Sequence, residues 1–184
     1  MEKKMILLAA PSGAGKNSFL EKALHEIPQL SDIITYTTRA MRFGEQEGDP
    51  YHFVSDHRFK ELVEQDFFVE WSQVHDSLYG TPHKSLEEVW EKGKVAIMDI
   101  DIQGVHKIKQ VYPQAVSIFI LPPSIEELKR RILGRDKKAP DNLELRLENA
   151  KKEIACADQF DFQVVNDDFE PSYAQFRDLV KSLV

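Results

Sequence analysis

Ala10-Pro11-Ser12-Gly13-Ala14-Gly15-Lys16 follows the apolar run Met5-Ile6-Leu7-Leu8-Ala9 and opens into the amphipathic stretch Asn17-Ser18-Phe19-Leu20-Glu21-Lys22-Ala23-Leu24. A buried strand, a turn of small residues and a helix, in that order, bring backbone N–H groups together around one point. Glycine permits the sharp turn and leaves no side chain in the way of an approaching oxygen. The helix adds the positive end of its dipole and Lys16 adds a point charge, so the run predicts a cradle for the phosphates of a nucleotide. Pro11, Ser12, Gly13, Ala14, Gly15, Lys16, Asn17 and Ser18 are its candidate contacts. A plain glycine-rich strand-to-helix turn would use similar residues, but the flanking strand and helix are the context the phosphate motif requires. The run departs from G-x-x-x-x-G-K-[ST] at Ala10 and at Asn17. The second departure touches the metal, which this motif meets with a hydroxyl. The Asn17 amide oxygen is the candidate ligand, directly or through water, with Ser18 as the other candidate.

Outward from the loop, short apolar runs alternate with amphipathic stretches, the rhythm of an α/β fold with a largely parallel sheet. Strands are predicted near 5–9, 95–100, 115–121 and 161–166, and helices near 16–26, 82–92, 102–110, 124–135, 142–157 and 171–183. The run Ala115 to Leu121 is apolar at nearly every position, as a strand covered on both faces must be. Ser124 with Glu127 predicts a capping box, Pro82 and Pro171 read as first-turn prolines, and Thr81 is a candidate helix cap. Residues 32–75 read differently, as short strands at Ile33–Thr37, Tyr51–Val54 and Phe67–Trp71 around a helix near 56–65, the pattern of an inserted smaller sheet.

Composition bounds the function. The chain has 184 residues, 42% hydrophobic and 30% charged, the profile of one globular domain. A net charge of −7 argues against a nucleic-acid partner, which draws on clustered Lys and Arg. A local basic pocket for a small phosphorylated ligand remains compatible with that balance. Cys156 is the only cysteine, so no intramolecular disulfide forms, and a reducing, cytoplasmic setting is expected. The charged head and apolar start imitate a signal peptide, but the apolar stretch is too short and runs straight into the loop. No segment approaches the about 18 apolar residues of a membrane span, so no membrane partner is expected. The six histidines show no ligand-like spacing with acidic partners. Asp99 ends an apolar strand, where phosphate-loop enzymes place a carboxylate beside the metal; a turn or cap role is the plain alternative.

The loop and five further blocks, Thr37-Thr38-Arg39-Ala40-Met41-Arg42, Tyr51-His52-Phe53-Val54, Tyr79-Gly80-Thr81, Asp99-Ile100-Asp101-Ile102-Gln103-Gly104 and Val165-Asn166-Asp167-Asp168, resemble the guanylate kinase family in order and spacing. The likeness covers essentially the whole chain, and bacterial members are similar in carrying Ala-Pro at the start of the loop. It implies a P-loop nucleoside-monophosphate-kinase-like fold of three layers, with a core at about 1–31, 82–124 and 158–184. A GMP-binding insertion would occupy about 32–81 and a helical lid about 125–157. The implied activity is ATP-dependent phosphorylation of GMP, and of dGMP, with Mg²⁺. A phosphopeptide-binding module of guanylate-kinase-like type and a P-loop kinase of a phosphorylated sugar are the two rivals.

By the same resemblance Thr35, Arg39, Arg42, Tyr51, Glu70, Tyr79, Thr81, Asp99 and Asp101 would surround GMP, Asp99 also reaching the metal through water. The chemistry of these residues suits the task. A guanidinium fork grips a phosphate at two points, and tyrosine hydroxyls donate to it. Guanine presents N1–H and N2–H₂ donors and an O6 acceptor, which Glu70, Asp101 and Thr81 complement. Adenine would leave a carboxylate unpaired. Arg131 and Arg135 share a helix face and, with Arg146, resemble the family's lid; salt bridges to Glu126, Glu127 or Glu144 are their structural alternative. The loop 136–141 is expected to move. Asn166 falls where the family holds the adenine of ATP. Lys16, Arg39, Arg131, Arg135 and Arg146 would carry the charge work of phosphoryl transfer.

Overall fold

In the computed structural model the described residues are 3–74, 76–135 and 143–184, Arg135 by its backbone alone. The segment 136–141, expected to move, lies outside them.

The apolar run before the loop forms β1 (Met5–Ala9), buried at every position. Because successive strand residues point to opposite faces, β1 feeds two cores at once. Met5, Leu7 and Ala9 join one cluster, and Ile6 and Leu8 the other. β1 is the middle strand of a five-stranded parallel sheet. It is flanked by β8 (Val95–Asp99) and β9 (Val116–Leu121), with β2 (Leu30–Asp32) and β10 (Phe162–Val165) at the edges. On one face α1 (Lys16–Glu26) and α7 (Phe169–Leu183) pack Phe19, Tyr173 and Phe176 against the sheet. On the other, α3 (His83–Glu91) and α4 (Ile102–Val111) contribute Leu86, Trp90, Val105 and Ile108. Two helical layers around a parallel sheet are what the alternating pattern predicts.

A second five-stranded sheet has the order β4 (Gln46–Glu47), β5 (Pro50–Phe53), β3 (Thr35–Thr37), β7 (Ser77–Pro82), β6 (Phe68–Val74). Its small core packs Phe59 of α2 (Asp56–Glu64) on Phe68, ring centroids 4.7 Å apart. The lid-side helices α5 (Ile125–Arg135) and α6 (Leu143–Ile154) share Leu128, Ile132 and Ala150 as a separate cluster.

Several local expectations are corrected. β2 extends the main sheet by three residues that carry Ser31 and Asp32 and so lack an apolar signal. Residues 77–82, left without a strand by the sequence reading, form β7, and Pro82 is the N-cap of α3 rather than its first helical residue. Thr81 does not cap α3: its hydroxyl donates to Glu70 at 2.7 Å. α7 begins two residues before Pro171. Half of the capping box at α5 forms, the Glu127 N–H donating to Ser124 Oγ at 3.0 Å, while the Glu127 carboxylate accepts from Arg130 and Arg131.

Candidate functional site

Parallel strands place all their C-terminal ends on one edge, and ligands of such sheets collect there. Leu8 of β1 pairs with Asp99 of β8, so the end of β8 stands beside the loop that follows β1. That loop is closed by Ala14 N–H donating to Pro11 O at 3.0 Å, with Gly13 and Gly15 at φ 95° and 96°. Gly15 is the N-cap of α1 and supplies no side-chain acceptor, so the first N–H groups of the helix face the loop uncapped by a side chain. The Lys16 ammonium lies 3.0 Å from the Asp99 carboxylate. The loop is also wedged from behind. A β-carbon on Gly15 would come within 2.5 Å of Asn166 Nδ2, and one on Gly13 within 3.0 Å of Ile132.

A cleft of about 700 Å³ opens in front of the loop, the size of a pocket for nucleotides. It is lined by Lys16, Asn17, Ser18, Asp99 and Asp101 from the main-sheet layer, by Thr35, Tyr51, Glu70, Tyr79 and Thr81 from the second sheet with Arg42 between its strands, and by Arg131 and Arg146 from the lid-side helices. Arg39 and Asn166 are not among the lining residues.

The second-sheet lining follows from strand pairing. Phe68, Glu70 and Ser72 alternate inward on β6, and an irregularity between Phe68 and Glu70 sets Glu70 directly across from Thr81 of β7. Glu70 is 6% exposed; Oε1 accepts the Thr81 hydroxyl at 2.7 Å and Oε2 has no partner among the described residues. Burial pushes its carboxyl up to about 7, with the Asp101 charge acting the same way and the Thr81 hydroxyl opposing. Asp101 is the N-cap of α4. Its Oδ1 accepts from the N–H groups of Gln103 at 2.8 Å and Gly104 at 3.1 Å, and its Oδ2 accepts from the Ser72 hydroxyl. Two carboxylates and a hydroxyl thus converge at one end of the cleft, one carboxylate oxygen still lacking a donor.

The basic end lies beyond them. The Tyr51 and Tyr79 rings meet edge to face, centroids 5.8 Å apart, and burial raises the Tyr51 hydroxyl, keeping it a donor. The Arg39 guanidinium lies over Tyr51, 5.3 Å from the ring centroid, and pairs with Glu45. Arg42 is exposed and lines the cleft.

On the lid side, Arg146 donates to Ser12 Oγ at 3.1 Å. Arg131 donates to Glu127 at 2.8 Å and to the Asp167 carbonyl at 2.9 Å, so the predicted salt-bridge alternative with Glu127 is met alongside a place on the cleft. The backbone of Arg135 ends α5; its side chain lies outside the described residues. Asn166, expected against adenine, is 5% exposed and has another neighbour: its Nδ2 donates to the Ala14 carbonyl at 2.7 Å, tying the end of β10 to the loop.

Three further residues were not singled out from the sequence. Ser72 orients Asp101, and its position two residues after Glu70 on an alternating strand was the available signal. Glu45 pairs with Arg39, three residues past Arg42. Glu153 of α6 lines the cleft facing Lys16 and Asp101, and burial raises its carboxyl.

Among the described residues no cluster of three His, Cys, Asp or Glu side chains could hold a metal alone. The Asp99 carboxylate and the Asn17 amide are oxygen donors on the loop side of the cleft. They fit an ion such as Mg²⁺, which takes most of its shell from water and phosphates. No described helix is long and apolar enough to cross a membrane.

Comparison with known proteins shows the family. The family model described as Guanylate kinase matches residues 2–183. A guanylate kinase of Bdellovibrio bacteriovorus is 51% identical over the full length of both chains. One of a Nostoc species is 42% identical over 91% of this chain and 84% of its own. The crystal structure of guanylate kinase from Anaplasma phagocytophilum superposes with a TM-score of 0.80 at 31% identity, covering 97% of this chain and 85% of that one. With the family model matching residues 2–183 and a relative 51% identical over both full lengths, the chain belongs to the guanylate kinase family.

Proposed function

We propose that this chain transfers the γ-phosphoryl group of ATP to the phosphate of GMP, giving ADP and GDP. The observation that carries the reading is one cleft lined both by Lys16 and the uncapped start of α1 and by Glu70, Thr81, Asp101 and Arg42. Two nucleotides bound there would have their phosphates facing each other.

ATP lies along the loop, its β- and γ-phosphates on backbone N–H groups of the loop and the start of α1 and on Lys16. Glu70 and Asp101 accept from the N1–H and N2–H₂ of guanine, and Thr81 and Thr35 stand at the same edge of the base. Arg39, Arg42, Tyr51 and Tyr79 hold the phosphate of GMP. An oxygen of that phosphate attacks the γ-phosphorus as the bond to the β,γ-bridging oxygen breaks on the opposite side. The acceptor oxygen is already ionised near neutral pH, so the protein need supply no base; positioning and charge stabilisation suffice. Arg131, Arg135 and Arg146 close over the transferring group and exclude water. The Asp99 carboxylate, through water, and the Asn17 amide would hold a Mg²⁺ ion, which would supply charge neutralisation at the phosphates. Asn166 serves the ATP side by holding the loop. The unpaired Cys156 supports a reducing compartment.

ADP release measured with GMP, dGMP, AMP and phosphorylated sugars as acceptors tests the reading. Turnover confined to the guanine nucleotides is expected. Turnover with a sugar phosphate would make the chain a kinase of another substrate, and phosphopeptide binding without turnover would make it a binding module.

A further inference from the structure

We infer that Glu45 is a positioning residue for the acceptor phosphate, acting through Arg39 and Arg42 rather than by touching the substrate. The inference rests on the reading that those two arginines hold the phosphate of GMP.

Glu45 lies between β3 and β4, on the chain that carries both arginines. Its carboxylate accepts from Arg39 Nη2 at 2.8 Å and from Arg39 Nη1 at 3.0 Å, a fork-to-fork pair with the end of the guanidinium. The same carboxylate accepts the backbone N–H of Arg42 at 2.7 Å, while the Glu45 N–H donates to the Arg42 carbonyl at 3.1 Å. Arg39 Nη1 also donates to the Ala40 carbonyl at 2.9 Å.

A guanidinium has five N–H donors in one plane. Three of those on Arg39 are committed to Glu45 and Ala40, all from the Nη end, and the Tyr79 hydroxyl, itself a candidate phosphate contact, is a further partner of the guanidinium. The Nε–H and the second Nη2–H form the side edge of the fork, and two parallel donors on one edge match two oxygens of a phosphate. The aromatic faces of Tyr51 and Phe53, 5.3 and 5.6 Å from the guanidinium carbon, fix the plane; Glu45 fixes the rotation within it. Arg39 alone would have many orientations, and ordering it would cost free energy at the moment of binding. Glu45 removes that cost in advance and ties the Arg42 backbone to the same anchor.

Charge alone argues the other way, which makes the inference testable by sign. Two arginines and one carboxylate leave one positive charge, so neutralising Glu45 raises the attraction for a phosphate. If Glu45 merely balances charge, Glu45→Gln binds GMP more tightly. If it positions the fork, Glu45→Gln binds GMP more weakly, on the order of tenfold.

Calorimetric titration of the full chain with GMP and with guanosine, which lacks the phosphate, decides between these. The expected result is weakened GMP binding by Glu45→Gln with guanosine binding unchanged. Glu45→Asp, which keeps the carboxylate on a shorter stem, should fall between wild type and Glu45→Gln. GMP bound as tightly as by the wild type or more tightly, or GMP and guanosine weakened in parallel, would overturn the inference. A wild-type protein with no preference for GMP over guanosine would instead remove the reading on which it rests, and the role of Glu45 with it.

Discussion

The Lys16 ammonium and the Asp99 carboxylate stand 3.0 Å apart, joining the first turn of α1 to the end of β8. Their side chains are 19% and 30% exposed, so the pair is partly solvated and contributes about 1 kcal/mol or less to stability. On the proposed function, a phosphate entering the loop would compete with Asp99 for Lys16, and the released Asp99 carboxylate would be available to a hydrated metal. Lys16→Ala should reduce turnover by about 10²–10³-fold with little change in melting temperature. Normal turnover by that variant would remove the loop from the mechanism.

If Glu70 reads the guanine base as proposed, base recognition depends on pH. Its carboxyl sits at about 7, above the ordinary 4.5, so the free folded protein holds an extra proton between those values and its stability falls as pH rises across that window. Guanine needs the ionised form. Guanosine affinity should therefore rise with pH and level off above about 7, approaching tenfold per pH unit well below it. Guanosine is the right probe because it has no phosphate to titrate. A flat wild-type profile between pH 5.5 and 8.5, or the same slope in Glu70→Gln, would contradict this account.

Gly104 sets how closely α4 approaches that carboxylate. A β-carbon there would come within 2.5 Å of Ile100 and 3.3 Å of Glu70 Oε2. Overpacking of this kind costs about 1–3 kcal/mol. Gly104→Ala should lower the melting temperature and weaken guanosine binding together, and calorimetry on the variant would show an intact pocket if the backbone instead gives way.

The loop and the parallel core were legible because each rests on local rules, an apolar strand, small residues at the turn and a helix start, whereas the order of the blocks was legible only through the family resemblance. β7 was not, since Ser77-Leu78-Tyr79-Gly80-Thr81-Pro82 carries Gly and Pro, and its strand character comes from pairing with β6. β2 and β4 are three and two residues long, too short to show a period. Ser72 and Glu45 act on other side chains, so no ligand chemistry marks them. Asn166 meets Ala14 across 152 positions, a contact that only the closed sheet creates.

That contact has its own consequence. The Asn166 amide supports the loop at the Ala14 carbonyl, one residue before Gly15, without lining the cleft. Asn166→Ala should raise the KM for ATP several-fold while leaving guanosine affinity unchanged, at about 1 kcal/mol of stability. Initial rates at varied ATP, beside a guanosine titration, check it; an effect confined to the guanosine side would show that the loop does not depend on this clamp.

Asn17 is the position where the loop departs from its motif at a chemical cost. It is exposed in the first turn of α1 and lines the cleft beside Lys16. An amide oxygen can ligate Mg²⁺ as a hydroxyl does, but on a longer stem, and Mg²⁺ demands near-ideal octahedral geometry. Ser18, the next residue along the helix, lines the same cleft and is the other oxygen available there. Asn17→Ser should therefore keep or raise turnover and lower the Mg²⁺ concentration needed for half-maximal rate. Titrating Mg²⁺ at fixed ATP and GMP measures both. A large loss of turnover would mean that the asparagine makes a contact of its own, one that a serine in its place cannot reproduce.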